Sequence, residues 1–210
     1  MKNLFAKNRA LYLITDRTTS SLSLAEMTAK AINAGIRTIQ LREKNMTKKE
    51  LYKKALSIRK FTLKHRATFI INDYVDIALA VDADGVHLGQ EDMPIKEARK
   101  LLGENKIIGI STHSLKQAVD AQRAGADYIG FGPIFKTTTK KAREPKGTKS
   151  LIEIKKHIKI PVVAIGGITI GNVSDVLKNG AYAVAVATGI LSGDIESNTK
   201  KFLAVIKAIV

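Results

Sequence analysis

The chain has 210 residues, no cysteine and no tryptophan, and 35 Lys+Arg against 19 Asp+Glu, a formal charge of +16. Without cysteine, disulfides and thiolate metal sites are excluded, and a reducing compartment is expected. No run approaches the ~20 apolar residues of a membrane helix, and the opening "MKNLFAKNRALYLITDR" lacks the apolar stretch and cleavage site of a signal peptide, so a cytoplasmic protein with no membrane partner is expected.

The predicted elements begin with "LYLIT" (11–15), a short β-branched run that reads as a buried strand. It leads into "TDRTTSS", without the G-x-G-x-x-G of a dinucleotide fingerprint. Leu24, Met27, Ala31 and Ile32 then share one helical face. The next strand is "TIQLR" (38–42), followed by "TKKELYKKALSIRKFTLKHR", where lysines surround an apolar stripe as the wet face of a helix. "TFIIN" (68–72), "GVHL" (85–88) and "IIGIS" (107–111) continue the series. A helical stretch carrying Leu115, Ala118, Val119 and Gln122 precedes "YIGFG" (128–132). A long basic loop, "KTTTKKAREPKGTKS" (136–150), separates it from "VVAIG" (162–166), and "AVAVA" (183–187) is last. In "NAGIRTIQL", "RAGADYIGF" and "NGAYAVAVA" a glycine ends a helical run just before a strand.

Alternating strands and helices imply parallel strands with right-handed crossovers. Eight such units in one chain, with no linker composition between them, predict a single-domain α/β fold over 1–210, a closed (β/α)8 barrel near its lower size limit. An open doubly wound sheet is the competing architecture.

In a barrel, the residues just past each strand gather at one mouth. Here they are polar: Thr15-Asp16-Arg17, Gln40 to Lys44, Asn72-Asp73, Gly89 to Asp92, Ser111 to His113, Gly132-Pro133, Gly166-Gly167 and Thr188-Gly189. Asp73 and Asp92, after neighbouring strands, are the candidate ligands for Mg2+, which takes one or two carboxylates plus waters and substrate phosphates. The same two residues also suit helix N-caps, Asp92 next to Pro94 at a first turn. Arg42 and Lys44 alternate on one extended segment and suit a polyphosphate, or else ion pairs with Glu43 and its neighbours. "VAIGGIT" (163–169) and "VATGI" (186–190) read as paired phosphate turns after the last two strands, or as tight turns only. Thr137, Thr138 and Thr139 beside Lys140 suit a phosphate clamp, or else an ordinary solvated loop. His87 reads as a satisfied core histidine, the four histidines are too scattered for zinc, and no serine sits in a nucleophile elbow.

Taken together, "YLITDR", "QLREK", "FIINDYVDIALAVDADGVHLGQEDMP", "IIGISTHS", "ADYIGFGPIFKTTTK" and "VAIGGIT" resemble the thiamine-phosphate synthase family over nearly the whole chain. The resemblance implies a barrel that joins a hydroxymethylpyrimidine diphosphate to a thiazole phosphate, giving thiamine phosphate and diphosphate. It implies that Gln40, Arg42 and Lys44 bind the pyrimidine diphosphate with Asn72 beside the ring. Ser111 and Lys140 contact the diphosphate, and Asp73 and Asp92 hold Mg2+. Thr137 and Thr139 face the thiazole phosphate, with Gly167 and the turn at Ala187-Thr188. Arg42, Lys44, Ser111 and Lys140 are then the catalytic group, since a dissociative departure of diphosphate needs charge stabilisation more than a strong base. Thr188 stands where the family often has Ser, and Lys136 where Pro is common. Two other readings remain: a thiazole tautomerase-like relative, and a non-catalytic phosphometabolite or RNA-binding protein. The latter expects a basic stripe interleaved with aromatics, and the five Tyr and six Phe form none, so no nucleic-acid partner is expected.

Overall fold

The computed structural model describes residues 10–137 and 144–209. Within them the strands are β1 (Leu11–Ile14), β2 (Thr38–Leu41), β3 (Thr68–Asn72), β4 (Gly85–Leu88), β5 (Ile107–Thr112), β6 (Tyr128–Phe131), β7 (Val162–Ile165) and β8 (Ala183–Val186). The helices between and after them are α1 (Leu24–Asn33), α2 (Lys48–Lys64), α3 (Val75–Ala80), α4 (Ile95–Leu102), α5 (Leu115–Arg123), α6 (Lys149–His157), α7 (Val173–Lys178), α8 (Thr188–Leu191) and α9 (Ile195–Lys207). Each strand pairs in parallel with the next, and β1 pairs with β8, so the sheet closes into a barrel. The predicted strands match to within a residue, and the open doubly wound alternative is excluded by closure.

Local chemistry explains the element ends. Ser23 and Thr47 form reciprocal capping boxes with Glu26 and Glu50 at the starts of α1 and α2. Gly35, Gly125 and Gly180 each take a positive φ just past a helix, as the recurring helix-glycine-strand pattern predicts. The face of α1 that packs inward carries Leu24, Met27, Thr28, Ala31 and Ile32.

Side-chain alternation along each strand divides the core in two. Leu11, Leu13, Ile39, Leu41, Phe69, Ile71, Val86, Leu88, Ile108 and Ile110 belong to the large cluster between sheet and helices. Residues of the other parity fill the barrel: Tyr12, Ile14, Ile70, Ile107, Tyr128, Val163, Ala183 and Ala185 form a second cluster. Gln40, Asn72, His87 and Ser111 share that inward parity, and the first three are buried. The interior is therefore polar along β2 to β6 and small and aliphatic along β7 and β8. Among the described residues, no helix is long and apolar enough to cross a membrane.

Candidate active site at the barrel mouth

The mouth is built on inward positions and on the residues immediately beyond them. Gln40 is the last inward residue of β2, and its Nε2 donates to the Tyr12 hydroxyl at 2.9 Å. Arg42 follows two residues later, its backbone fastened to Thr15, whose Oγ1 accepts from the Arg42 N–H at 3.0 Å. Arg42 is half-buried and Lys44 exposed, and among the described residues neither side chain forms an ion pair. Glu43, between them in sequence, is half-buried, with Oε1 unpartnered among the described residues. Burial pushes its pKa up, against the pull of Arg17 and Arg42. The ion-pair reading of Arg42 and Lys44 therefore finds no acid at contact distance among the described residues.

The two aspartates stand at the ends of adjacent strands, since Asn72 registers with His87. Neither caps a helix. The cap position of α3 is Tyr74 and that of α4 is Pro94, and neither cap makes a side-chain hydrogen bond. Asp73 instead sits in the left-handed region at φ +65, with its N–H bonded to the His87 carbonyl at 2.9 Å. Asp92 folds back on its own loop, one oxygen accepting from the Gly89 N–H at 2.6 Å. A strained carboxylate-bearing residue and a second carboxylate pinned by a backbone amide are both held without being consumed as caps. Two hard oxygen donors suit Mg2+, which completes its shell with water and phosphate oxygens. No group of three or more His, Asp or Glu able to hold a metal occurs among the described residues.

Ser111 lies on β5 in register with Gly130. Its carbonyl accepts from Gln90 Nε2 at 2.7 Å, and its Oγ lies 2.9 Å from His87 Nε2. His87 is buried with both ring nitrogens engaged, Nδ1 lying 2.8 Å from the Tyr128 hydroxyl. It is satisfied, as expected, but its partner is a residue of the mouth.

Gly166 and Gly167 follow β7 at φ +99 and +65. They do more than permit a turn. A Cβ on Gly166 would lie 2.6 Å from Pro133 Cβ, and one on Gly167 would lie 2.5 Å from the Lys136 carbonyl oxygen. The β6–α6 connection leans on this glycine turn through the Phe135 N–H, which donates to the Gly166 carbonyl at 3.0 Å. Thr137 is thus brought beside Gly167 by the chain itself. The turn after β8 is a different device. Ala187 caps the four-residue α8, which begins at Thr188, and Gly189 packs against the Ile168 carbonyl without a left-handed φ. The expectation of one repeated glycine turn is corrected there. Thr138, Thr139 and Lys140 lie outside the described residues.

Sequence reasoning missed Tyr12, His87 and Tyr128 as a connected polar group. No signal in the sequence tells which parity of these strands faces inward, because strands covered on both faces read as apolar throughout.

The comparisons with known proteins agree with this layout. Residues 11–190 match the family described as thiamine monophosphate synthase. A curated thiamine-phosphate synthase of Clostridium novyi is 48% identical over 94% of this chain and 98% of its own. One of Methanosarcina barkeri is 45% identical over 98% of this chain and 94% of its own. Among solved structures, a thiamine phosphate pyrophosphorylase from Pyrococcus furiosus superposes with a TM-score of 0.89 at 39% identity, covering 97% of this chain and 98% of that one. A 3-hexulose-6-phosphate synthase, at 17% identity and TM-score 0.73, shares the barrel. A closed barrel with its polar residues at the strand ends, matched nearly end to end by such relatives, has one consistent placement: the chain belongs to the thiamine monophosphate synthase family.

Proposed function

We propose that this chain is a thiamine-phosphate synthase, transferring the pyrimidinylmethyl group from diphosphate to the ring nitrogen of a thiazole phosphate. The observation that carries the reading is identity of 45–48% to curated thiamine-phosphate synthases over nearly the full chain.

In this reading Gln40 and Asn72 face the pyrimidine from inside the barrel, where burial makes their hydrogen bonds selective. Arg42 and Lys44, which form no ion pair among the described residues, meet the diphosphate, with Ser111 Oγ as a neutral donor to it. The C–O bond to diphosphate breaks first, its electron pair leaving with the oxygen. The pyrimidine-stabilised cation is then captured by the thiazole nitrogen. Positive side chains fixed before the reaction stabilise the charge that develops on the leaving group. Asp73 and Asp92 would hold a Mg2+ ion, which when bound supplies further stabilisation of phosphate oxygens. The packed interior beneath, in which Gln40, Tyr12, Tyr128 and His87 are hydrogen-bonded to one another among aliphatic side chains, keeps water from the cation. Gly167, Thr137, Ala187 and Thr188 border the place for the thiazole phosphate. Thr139 and Lys140 complete the proposed set from the β6–α6 connection.

The test is incubation of the purified protein with both substrates and Mg2+. The expected result is thiamine phosphate and diphosphate in equal amounts, with loss of turnover on chelation and recovery on adding Mg2+. Absence of product with both substrates and the metal present overturns the proposal. Turnover of thiazole phosphate alone, with no diphosphate released, points to a tautomerase-like activity instead.

A further inference from the structure

Five side chains from five strands form one continuous hydrogen-bonded chain across the barrel. Gln40 Nε2 donates to the Tyr12 hydroxyl at 2.9 Å, and Tyr12 and Tyr128 hydroxyls lie 3.0 Å apart. The Tyr128 hydroxyl lies 2.8 Å from His87 Nδ1, and His87 Nε2 lies 2.9 Å from Ser111 Oγ. The fold makes room for it in mid-strand. A Cβ on Gly109 would lie 2.1 Å from Tyr128 Cζ, and one on Gly130 would lie 3.1 Å from His87 Cε1. Glycine inside a strand weakens it and is kept where something must approach the backbone closely. Here the things that approach are the two rings.

The chain has a direction. The Gln40 amide nitrogen can only donate. Running from there, the assignment in which each hydroxyl accepts once and donates once has Tyr12 donating to Tyr128 and Tyr128 donating to Nδ1 of His87. Burial raises the pKa of both phenols, so both keep the protons they need as donors. The proton of a neutral imidazole is then on Nε2, facing Ser111. A serine oxygen that accepts from the histidine has its own proton left to give.

We propose that His87 is a positioning residue for the transfer reaction: held as the Nε2–H tautomer by Tyr128, it donates to Ser111 Oγ and turns the serine's hydrogen outward, to an anionic oxygen in the barrel mouth. The proposal rests on the reading above in one respect only, that Ser111 meets the diphosphate. It joins the two substrate ends of the site, because the chain that sets the serine begins at Gln40.

Two measurements test it. Nitrogen-15 NMR of the imidazoles in the ligand-free protein at neutral pH is expected to show His87 protonated at Nε2 and bare at Nδ1. The Nδ1–H tautomer, or the imidazolium, overturns the proposal whatever the enzyme's activity. Kinetics are then compared for His87→Leu, which removes the donor, and His87→Gln, which restores an amide donor toward Ser111. The expectation is a kcat roughly 10- to 100-fold lower in His87→Leu, with KM for the thiazole phosphate within about twofold of wild type and most of the loss recovered in His87→Gln. In a Ser111→Ala background, His87→Leu is expected to cost less than about twofold more, because its partner is gone. Multiplying losses in the double variant, or equal losses in Leu and Gln, overturn it. Should His87→Leu fail to fold, Tyr128→Phe keeps the ring and removes only the hydroxyl. It is expected to redistribute the His87 tautomers and to lower kcat several-fold, and an unchanged tautomer with unchanged kcat counts against the chain. Wild-type protein that makes no thiamine phosphate defeats the functional reading, whereas a wrong tautomer in an active enzyme defeats this proposal alone.

Discussion

Asp73 holds φ +65 with a Cβ attached, a conformation that costs a non-glycine residue on the order of 1–2 kcal/mol. Strain of this kind persists where something else requires the side chain, and the proposed need is a metal ligand. The two effects separate on substitution. Asp73→Gly is expected to leave the unfolding midpoint in urea unchanged or raised, while turnover falls by roughly a hundredfold or more. Near-normal turnover in that variant removes Asp73 from the metal site. The sequence could not decide between cap and ligand, because that choice depends on where the helix starts. In the structure α3 begins one residue beyond Tyr74, leaving the aspartate outside. Tyr12 and His87 were obscured for a different reason: strands buried on both faces read as apolar throughout, so nothing in "LYLIT" or "GVHL" says which parity faces inward. The buried phenols carry a pH consequence. Unfolded tyrosine ionises near pH 10, whereas burial holds Tyr12 and Tyr128 protonated to higher pH, for Tyr12 against the opposing pull of its hydrogen bonds with Tyr128 and Gln40. Above about 10 the unfolded chain loses protons that the folded one retains, so stability falls as pH climbs toward the folded values. Tyrosinate absorbance on alkaline titration should show two of the five tyrosines ionising only together with unfolding.

At the scale of elements, the barrel uses carboxylates differently at its two ends. Asp84, just before β4, accepts from the Phe69 N–H at the start of β3 at 2.7 Å and from Arg59 of α2 at 2.8 and 3.1 Å. Asp127, just before β6, repeats the device: it accepts from the Ile108 N–H of β5 at 2.7 Å and from Arg99 of α4 at 2.6 Å. Each ties a helix, the strand that follows it or lies beside it, and the next strand around. Arg59 is buried, so removing Asp84 leaves a desolvated guanidinium with only the exposed Asp82 carboxylate, 3.9 Å away, to balance it. Asp84→Ala is expected to lose about 3 kcal/mol of stability while kcat of the folded protein stays within about twofold. Residues at the N-terminal ends of barrel strands serve the fold rather than the chemistry. A large fall in kcat without a matching fall in stability would contradict this division. The helix-glycine-strand pattern that announced the units was legible because it is local: each glycine needs only its own φ. The Asp84 and Asp127 ties were not, because each spans 15 or more residues and joins three elements.

Across the whole molecule the net charge is +16, and among the described residues many lysines stand on exposed helix faces, a few of them neutralised in surface pairs such as Lys48–Asp76 and Lys116–Asp120. Pairs of this kind add little stability, but the summed field draws anions to the mouth. The second-order rate constant for the diphosphate substrate is therefore expected to fall roughly threefold or more between about 0.05 and 0.5 M monovalent salt, with kcat nearly constant. A salt-independent kcat/KM would mean that the charge plays no part in capture. The sheet also closes through a single late seam, where Leu11, Tyr12 and Leu13 register with Val184, Ala185 and Val186. Contacts between such distant parts of a chain are the slowest to form, because the intervening polypeptide must be ordered first. On a ribosome, a chain with seven strands emerged would carry two bare edges, β1 and β7, both able to recruit another copy. Arrival of the eighth strand covers both at once, so the emergence of Ala183–Val186 governs whether the nascent barrel escapes aggregation.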